Sequence, residues 1–393
     1  MKKLAVRTVL VAVGALPLAL SPMGSLVQAA AWAAPLERTG LAPLAKATGE
    51  VVPGRYIVTT RPSARLAGLT DQLGVRALHQ YDAALHGFAA NLSPVQLDLV
   101  RRSADVLAVE PDQVVRVASV QKKAPWDLDR LDQKKLPLNA SYTYRTSAAK
   151  VTAYIIDTGL AQNSEFGSRA KAAFDATGVG GGVDCHGHGT HVAGTIGAST
   201  YGVAKDVQLR GVKVLNCAGS GTNSDVIAGI DWVRKNAQKP AVANMSLGGD
   251  RSAAVNTASN NLARSGVFLA VAAGNNNGDA CKLSPASASA VTTVGASDRQ
   301  DNKAGFSNHG RCVHLYAPGV DITSAWLLNL QYKMDGTSMA SPHVAGVAAL
   351  YKATHPNASS RQVRSWLVGQ ASKGVIKGNA PHTPNRLLNT GGL

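Results

Sequence analysis

The chain has 393 residues, of which 45% are hydrophobic, 16% charged and 5% aromatic, enough apolar material for two packed domains and too much for a disordered chain. Thirty-nine glycines and 17 prolines without a strict period exclude collagen and repeat arrays, and point to an α/β protein with many tight turns. The formal net charge of +16 comes from Lys and Arg scattered singly, with no dense basic cluster or interleaved aromatics, so it reads as solubility charge and no nucleic-acid partner is expected.

Lys2, Lys3 and Arg7 precede an uncharged apolar run over residues 9–20, followed by small residues through Ala31 and Ala33. The run is too short to span a bilayer of roughly 30 Å, and the A-x-A spacing offers a peptidase site. Residues 1–33 therefore read as a secretory signal peptide. The mature protein is expected outside the cell, with no membrane partner once the signal is removed.

From Gly54 onward the pattern predicts a strand at 55–60, a short helix near 66–73 and alternating runs at 75–81 and 87–92. A helix opened by Ser93 and Pro94 and a strand through 106–117 complete the set. This β-α-β-β-α-β order defines a small ferredoxin-like α+β domain, with a folded core of about residues 54–117 within a segment 34–118. Residues 119–125, polar, basic and ended by Pro125, read as a domain boundary open to proteolysis.

Beyond it, apolar runs at 151–156, 209–214, 243–246 and 267–272 alternate with helical segments starting at His188, Ser224 and Ala253. Runs buried on both faces and separated by helices predict a mainly parallel sheet wrapped by helices over residues 119–393. Ligands of such sheets sit outside the carboxyl ends of the strands, where the strand order reverses.

Four cysteines, Cys185, Cys217, Cys281 and Cys312, lie in this portion of an exported chain, so pairing is expected. Three connectivities are open. Sequential pairing would close two loops of about thirty residues, each stabilising by roughly 3–4 kcal/mol on the chain-entropy model. A zinc site from Cys185, His186, His188 and His191 is the rival, but no C-x-x-C accompanies them.

Three motifs carry the chemistry. Ile155-Ile156-Asp157-Thr158-Gly159 ends a strand on an acid and a tight turn, and His186-Gly187-His188-Gly189-Thr190-His191 enters a helix of small residues. Gly336-Thr337-Ser338-Met339-Ala340-Ser341-Pro342-His343 sets a hydroxyl at a helix start. Singly, each is an ordinary turn or cap; together they supply acid, base and nucleophile. A serine hydroxyl attacks a carbonyl only when an imidazole takes its proton and an acid holds that imidazole. The order Asp, His, Ser excludes the chymotrypsin arrangement, and the missing Gly-x-Ser-x-Gly excludes the α/β-hydrolase elbow.

These motifs, in this order, resemble those of the subtilisin-like serine peptidases, and most closely the aqualysin-like group of the proteinase K branch. The resemblance covers nearly all of residues 35–393. Tyr56-Ile57-Val58, Gly87-Phe88-Ala89 and Val109-Glu110-Pro111-Asp112 look like the family's inhibitor-type propeptide. It implies that Asp157 orients, His188 is general base and acid, and Ser338 attacks. It also implies that Cys185 pairs with Cys217 and Cys281 with Cys312. The segment Ala272-Ala273-Gly274-Asn275 resembles the oxyanion segment, making Asn275 the side-chain donor, with the Ser338 N–H as the second. Gly219-Ser220-Gly221 and Ser246-Leu247-Gly248 look like the two edges that hold an extended peptide. No acid marks a pocket for basic side chains, so broad cleavage after apolar or aromatic residues is expected.

No catalytic cofactor is expected. For calcium, Asp129, Asp132 and Gln133, with Asn139 and Ser141 in reach, resemble the N-terminal site of the aqualysin-like group. A second family site, built on an acid and the carbonyls of Ser289 and Val291, is expected to be lost, because His314 stands in place of the acid and imidazole is a poor ligand for a hard cation. The resemblance implies a monomeric, secreted endopeptidase that processes itself near residues 117–121. Its partners are peptide and protein substrates and its own propeptide, which acts as intramolecular inhibitor and folding aid. A peptide ligase using the same acyl-enzyme and a catalytically dead binding protein are the rival classes.

Overall fold

The computed structural model describes residues 40–47, 51–82, 85–113 and 119–393. The expected signal peptide, the last part of the strand expected through residue 117, and residues 117 and 118 of the expected processing region lie outside the described residues. Two compact units divide the chain among the described residues: 40–44 with 58–109, and 45–57 with 110–393.

Residues 51–113 form the expected β-α-β-β-α-β series: β1 (Val51–Thr60), α1 (Leu66–Gln72), β2 (Ala77–Tyr81), β3 (Gly87–Asn91), α2 (Pro94–Arg102) and β4 (Val106–Gln113). The sheet order is β2-β3-β1-β4. Ser93 starts α2 with a reciprocal cap: its side chain accepts from the Gln96 N–H, and the Gln96 side chain accepts from the Ser93 N–H. Val58, Phe88, Ala90, Val100 and Val109 are fully buried and form the hydrophobic filling.

In the second unit, residues 119–122 are not the open linker read from the sequence. They form β5 (Ser119–Lys122), paired antiparallel with β6 (Ser141–Tyr144) in the register Ser119 to Tyr144 and Lys122 to Ser141. The pairing gives their backbone groups partners that local composition could not reveal. Between them lies α3 (Trp126–Leu131).

The remaining elements are β7 (Thr152–Asp157), β8 (Ala170–Asp175), α4 (His188–Gly197), β9 (Gln208–Lys213), α5 (Asn223–Asn236), β10 (Ala241–Met245), β11 (Gly249–Asp250), α6 (Ala253–Arg264) and β12 (Phe268–Ala272). They continue with β13 (Leu283–Ser284), β14 (Thr292–Ser297), β15 (Leu315–Pro318), β16 (Ile322–Ala325), β17 (Gln331–Met334), α7 (Thr337–Thr354), α8 (Ser360–Gln370), β18 (Ser372–Lys373) and β19 (Arg386–Leu387). Nine strands form one sheet in the order β18-β19-β15-β14-β12-β10-β7-β9-β8, parallel except where β18 meets β19. Alternation along each strand splits its side chains between two cores. Ala153 and Ile155 of β7 pack with α4 and α7, while Tyr154 and Ile156 pack on the face covered by α5 and α6.

The order reverses between β7 and β10: the chain first builds β8 and β9 on one side of β7, then β10, β12, β14 and β15 on the other. Asp157 ends β7 at this switch point. Among the described residues no helix is long and apolar enough to cross a membrane.

Candidate active site

Asp157 is fully buried, and its Oδ1 accepts the Nδ1–H of His188 at 2.7 Å. The contact requires α4 to enter close against the β7 turn. At Gly189 a Cβ would lie 2.3 Å from the Gly159 carbonyl, so only glycine permits that approach. Gly187, at φ +105°, turns the chain into the helix under Trp326.

A second buried acid builds this turn. Asp184 Oδ1 accepts from Thr158 Oγ1 and from the amides of His186 and Gly187, each at 2.9 Å. Its Oδ2 accepts from the Thr190 N–H at 2.8 Å and hydroxyl at 2.6 Å. Burial works against its charge, yet these donors outweigh it and hold the Asp184 carboxyl below the usual range. Burial likewise opposes a charge on His188, but the Asp157 carboxylate and its hydrogen bond, backed by Asp184, hold the imidazolium above its ordinary range.

His191, one turn on, is different in kind. Its Nε2–H is shared between the carbonyls of Ile322 and Tyr332 at 3.1 and 3.0 Å, and burial drives its pKa down to about 4. It is a neutral structural link to the β16–β17 hairpin. Cys185 and Cys217 form a disulfide, as do Cys281 and Cys312, so Cys185 has no thiolate to offer a metal.

Ser338 lies in the first turn of α7. Its N–H there has no intrahelical acceptor. Pro342, four residues on, has no N–H to give the Ser338 carbonyl, and that carbonyl accepts instead from Ser246 Oγ at 2.6 Å. Ser338 Oγ donates to the Ser246 carbonyl at 3.1 Å, its one partner among the described residues. The Asp157–His188 pair is thus closed, whereas the Ser338 hydroxyl is turned to the Ser246 carbonyl rather than to His188.

Thr337 sets the orientation of Asn275. Its N–H and hydroxyl both donate to Asn275 Oδ1, at 2.9 and 2.8 Å, while its Oγ1 accepts from the Gly274 N–H at 3.0 Å. With Oδ1 held by two donors, Asn275 can present only Nδ2 to a ligand. Thr337 sat inside the quoted motif, but nothing in the sequence marked its partner 62 residues away.

Two neighbouring cavities share the Ser246–Gly249 segment. One, of 460 Å³, brings His186 and His188 together with Gly219, Ser220 and Gly221. The other, of 600 Å³, is bordered by Ala272, Asn275, Leu283, Ala286 and Ser338. Its lining also includes Asp250, Asp279 and Lys282, charges that sequence reading did not assign to a pocket. All three are exposed and stand at the rim.

At the N-terminal acidic cluster, Asp129 Oδ1 accepts from the Gln133 side-chain amide and from the Asn139 N–H, and its Oδ2 from the Ala140 N–H. Asp132 Oδ2 accepts from the Thr143 N–H, while its buried Oδ1 has no partner among the described residues. At the second family calcium site, the one expected to be lost, Arg364 Nη1 donates to the carbonyls of Ser289 and Val291 at 3.0 and 2.9 Å, beside His314 Nε2 at 3.3 Å. A guanidinium thus faces the carbonyls where a metal ion was considered.

Residues 149–390 match the subtilase family, and residues 55–118 match peptidase inhibitor I9. The chain is 46% identical over 370 residues to an extracellular serine proteinase of a Thermus species, covering 87% of this chain and 90% of that protein. It is 42% identical over 361 residues to proteinase R of Parengyodontium album, covering 89% and 92%. Among solved structures, a cold adapted subtilisin-like serine proteinase superposes with a TM-score of 0.67 at 48% identity, covering 68% of this chain and 99% of that one. The chain belongs to the subtilase family. Within it, this is a serine endopeptidase of the proteinase K branch, carrying an I9 propeptide domain.

Proposed function

We propose that peptide bonds are cleaved through an acyl-enzyme on Ser338, with His188 as base and acid, Asp157 as its orienting partner and Asn275 as oxyanion donor. The observation that carries this is the buried Asp157–His188 contact of 2.7 Å. It fixes the Nδ1–H tautomer and leaves Nε2 bare to accept a proton. Rotation of the Ser338 hydroxyl from the Ser246 carbonyl toward Nε2 starts the reaction. Oγ then bonds the scissile carbon, and the oxyanion meets Asn275 Nδ2 and the Ser338 N–H. Collapse expels the amine, which takes its proton from His188, and water releases the acid by the reverse path.

Substrate lies extended along Gly219-Ser220-Gly221 and Ser246-Leu247-Gly248. The cavity bordered by Ala272, Leu283 and Ala286 takes the side chain before the scissile bond, and its apolar walls favour apolar or aromatic residues. The rim charges are of both signs and leave no single acid at the base to select Lys or Arg.

The precursor is made with a signal peptide at 1–33, an inhibitory propeptide at 34–118 and a catalytic domain at 119–393, and the mature enzyme is secreted as a monomer. The I9 match ending at residue 118 supports that boundary. Asp129, Asp132 and Gln133, with Asn139 and Ser141, hold a structural calcium ion. The unpartnered buried Oδ1 of Asp132 beside the Asp129 carboxylate suits a hard cation, which would pin α3 to the loop ahead of β6.

N-terminal sequencing of purified, signal-less precursor tests the scheme. Wild type should begin near residues 117–121, and Ser338→Ala should remain uncut; normal processing of Ser338→Ala in a protease-free system refutes it.

A further inference from the structure

The tip of the β16–β17 hairpin exposes apolar side chains. Leu328 is 86% exposed, Leu330 59% and Tyr332 54%. The tip is nonetheless firmly built. Trp326 N–H donates to the Leu330 carbonyl at 2.7 Å, Asn163 Nδ2 to the Trp326 carbonyl at 2.8 Å, and Ser164 N–H to Asn329 Oδ1 at 2.8 Å. Leu328 and Asn329 both have left-handed backbones, at φ +58° and +59°, a conformation leucine rarely adopts. A pinned tip that holds leucines in water is a surface shaped for contact.

Its mounting ties it to the chemistry. Tyr332 stacks at 4.8 Å on Trp326, and Trp326 covers Gly187, the residue from which α4 and His188 start. The Tyr332 carbonyl accepts from His191 of the same helix, and β17 runs on through Gly336 to Ser338. No residue of 322–335 lines either cavity described above. On the reading that those cavities receive the acyl half of a substrate, the packing of Trp326 on Gly187, next to His188, leaves the hairpin for the departing half.

We propose that Leu328, Leu330 and Tyr332 form a ridge that docks apolar side chains of the substrate segment C-terminal to the scissile bond, an inference that rests on the serine-peptidase reading. The occupant follows from continuity with the site: the hairpin packs through Trp326 on Gly187 and runs on to Ser338, so a peptide that leaves Ser338 past His188 meets it.

The test is the partition of one acyl-enzyme between water and added amines. A peptide methyl ester acylates Ser338 and releases methanol, which cannot reach the ridge. An amine nucleophile then attacks the acyl carbon, the bond to Ser338 Oγ breaks, and the amine proton passes to His188. Wild type should transfer to Gly-Leu-Phe-amide about tenfold better than to Gly-Ser-Ser-amide, the size expected from partial burial of two apolar side chains. The double variant Leu328→Asn, Leu330→Ser should bring that ratio to within about twofold, Asn being tolerant of the left-handed backbone. The ratio is normalised to water attack on the same acyl-enzyme, so loss of folded protein cancels. Absence of preference in wild type, or its persistence in the double variant, overturns the proposal. Failure of wild type to hydrolyse the ester would instead defeat the peptidase reading. Sedimentation that shows a dimer dissolved by the same substitutions would assign the tip to a second copy of the chain and likewise overturn it.

Discussion

Replacing Arg364 by Met should lower the thermal midpoint by several degrees. The guanidinium holds the 289–291 loop through two carbonyls, and its half-buried setting disfavours the charge, so that burial lowers its pKa. Met keeps much of the stem packing and removes the donors. Hydrogen bonds to a charged group contribute about 1.5–3 kcal/mol each, and the one to Ser289 is exposed, so about 2–3 kcal/mol is expected for the pair. At about 2–4 °C per kcal/mol for a domain of this size, the midpoint should fall by about 6 °C. His314 adds the converse test. Its Nδ1 accepts the Thr293 N–H at 3.1 Å, so its neutral ring carries the proton on Nε2, which faces Arg364 Nη1 at 3.3 Å. Two donors oppose each other there, and burial with Arg364 and Arg386 drives the ring's pKa to about 4. His314→Asp removes one of these donors and would offer the other, Arg364, a carboxylate acceptor, and should raise the midpoint. Scanning calorimetry of both variants in a Ser338→Ala background, where autolysis cannot contribute, reads these shifts. A midpoint unchanged in Arg364→Met, or lowered in His314→Asp, refutes the reasoning.

Because His188 acts in its neutral form and its pKa is raised, activity should be low while the ring is protonated and should rise with pH through a midpoint above about 6.5, the ordinary histidine value. A pH–rate profile of kcat/KM reads that limb, and a flat profile from pH 5 to about 9 would exclude His188 as the base. Asn275→Ala should reduce kcat by roughly 10²–10³-fold with a small change in KM. Thr337→Val, which keeps the backbone donor to Asn275 Oδ1 and removes the hydroxyl one, should reduce kcat by a smaller factor; equal KM and kcat effects in steady-state assays would contradict an oxyanion role. Chelator should lower the melting temperature of the wild type, and Asp129→Ala should abolish most of that response while His314→Ala leaves it intact. Equal chelator sensitivity in wild type and Asp129→Ala would remove the calcium assignment.

The parallel sheet was legible because strands at its centre such as β7 and β12 are buried on two faces and carry apolar runs, Ala153–Ile156 and Phe268–Ala272. The candidate triad was legible because acid, base and hydroxyl each sit where a strand or helix end needs a marked turn. What remained hidden depends on partners distant in sequence. Ser119–Lys122 looked like an open linker since its polarity says nothing of the strand 22 residues on that satisfies its backbone. Asp184 was not singled out, because its five donors come from Thr158 through Thr190. Nothing local marks Arg364 on α8, because the carbonyls it holds lie 73 and 75 residues away. Leu327 and Leu328 fail differently: a Leu pair predicts burial, and hydropathy carries no direction. Two consecutive left-handed residues reverse the chain at Leu328 and Asn329 and leave the Leu328 side chain in solvent. Periodicity therefore finds the core reliably where the backbone is regular. At a hairpin tip the backbone angles, rather than the hydropathy, decide which apolar residues face a substrate.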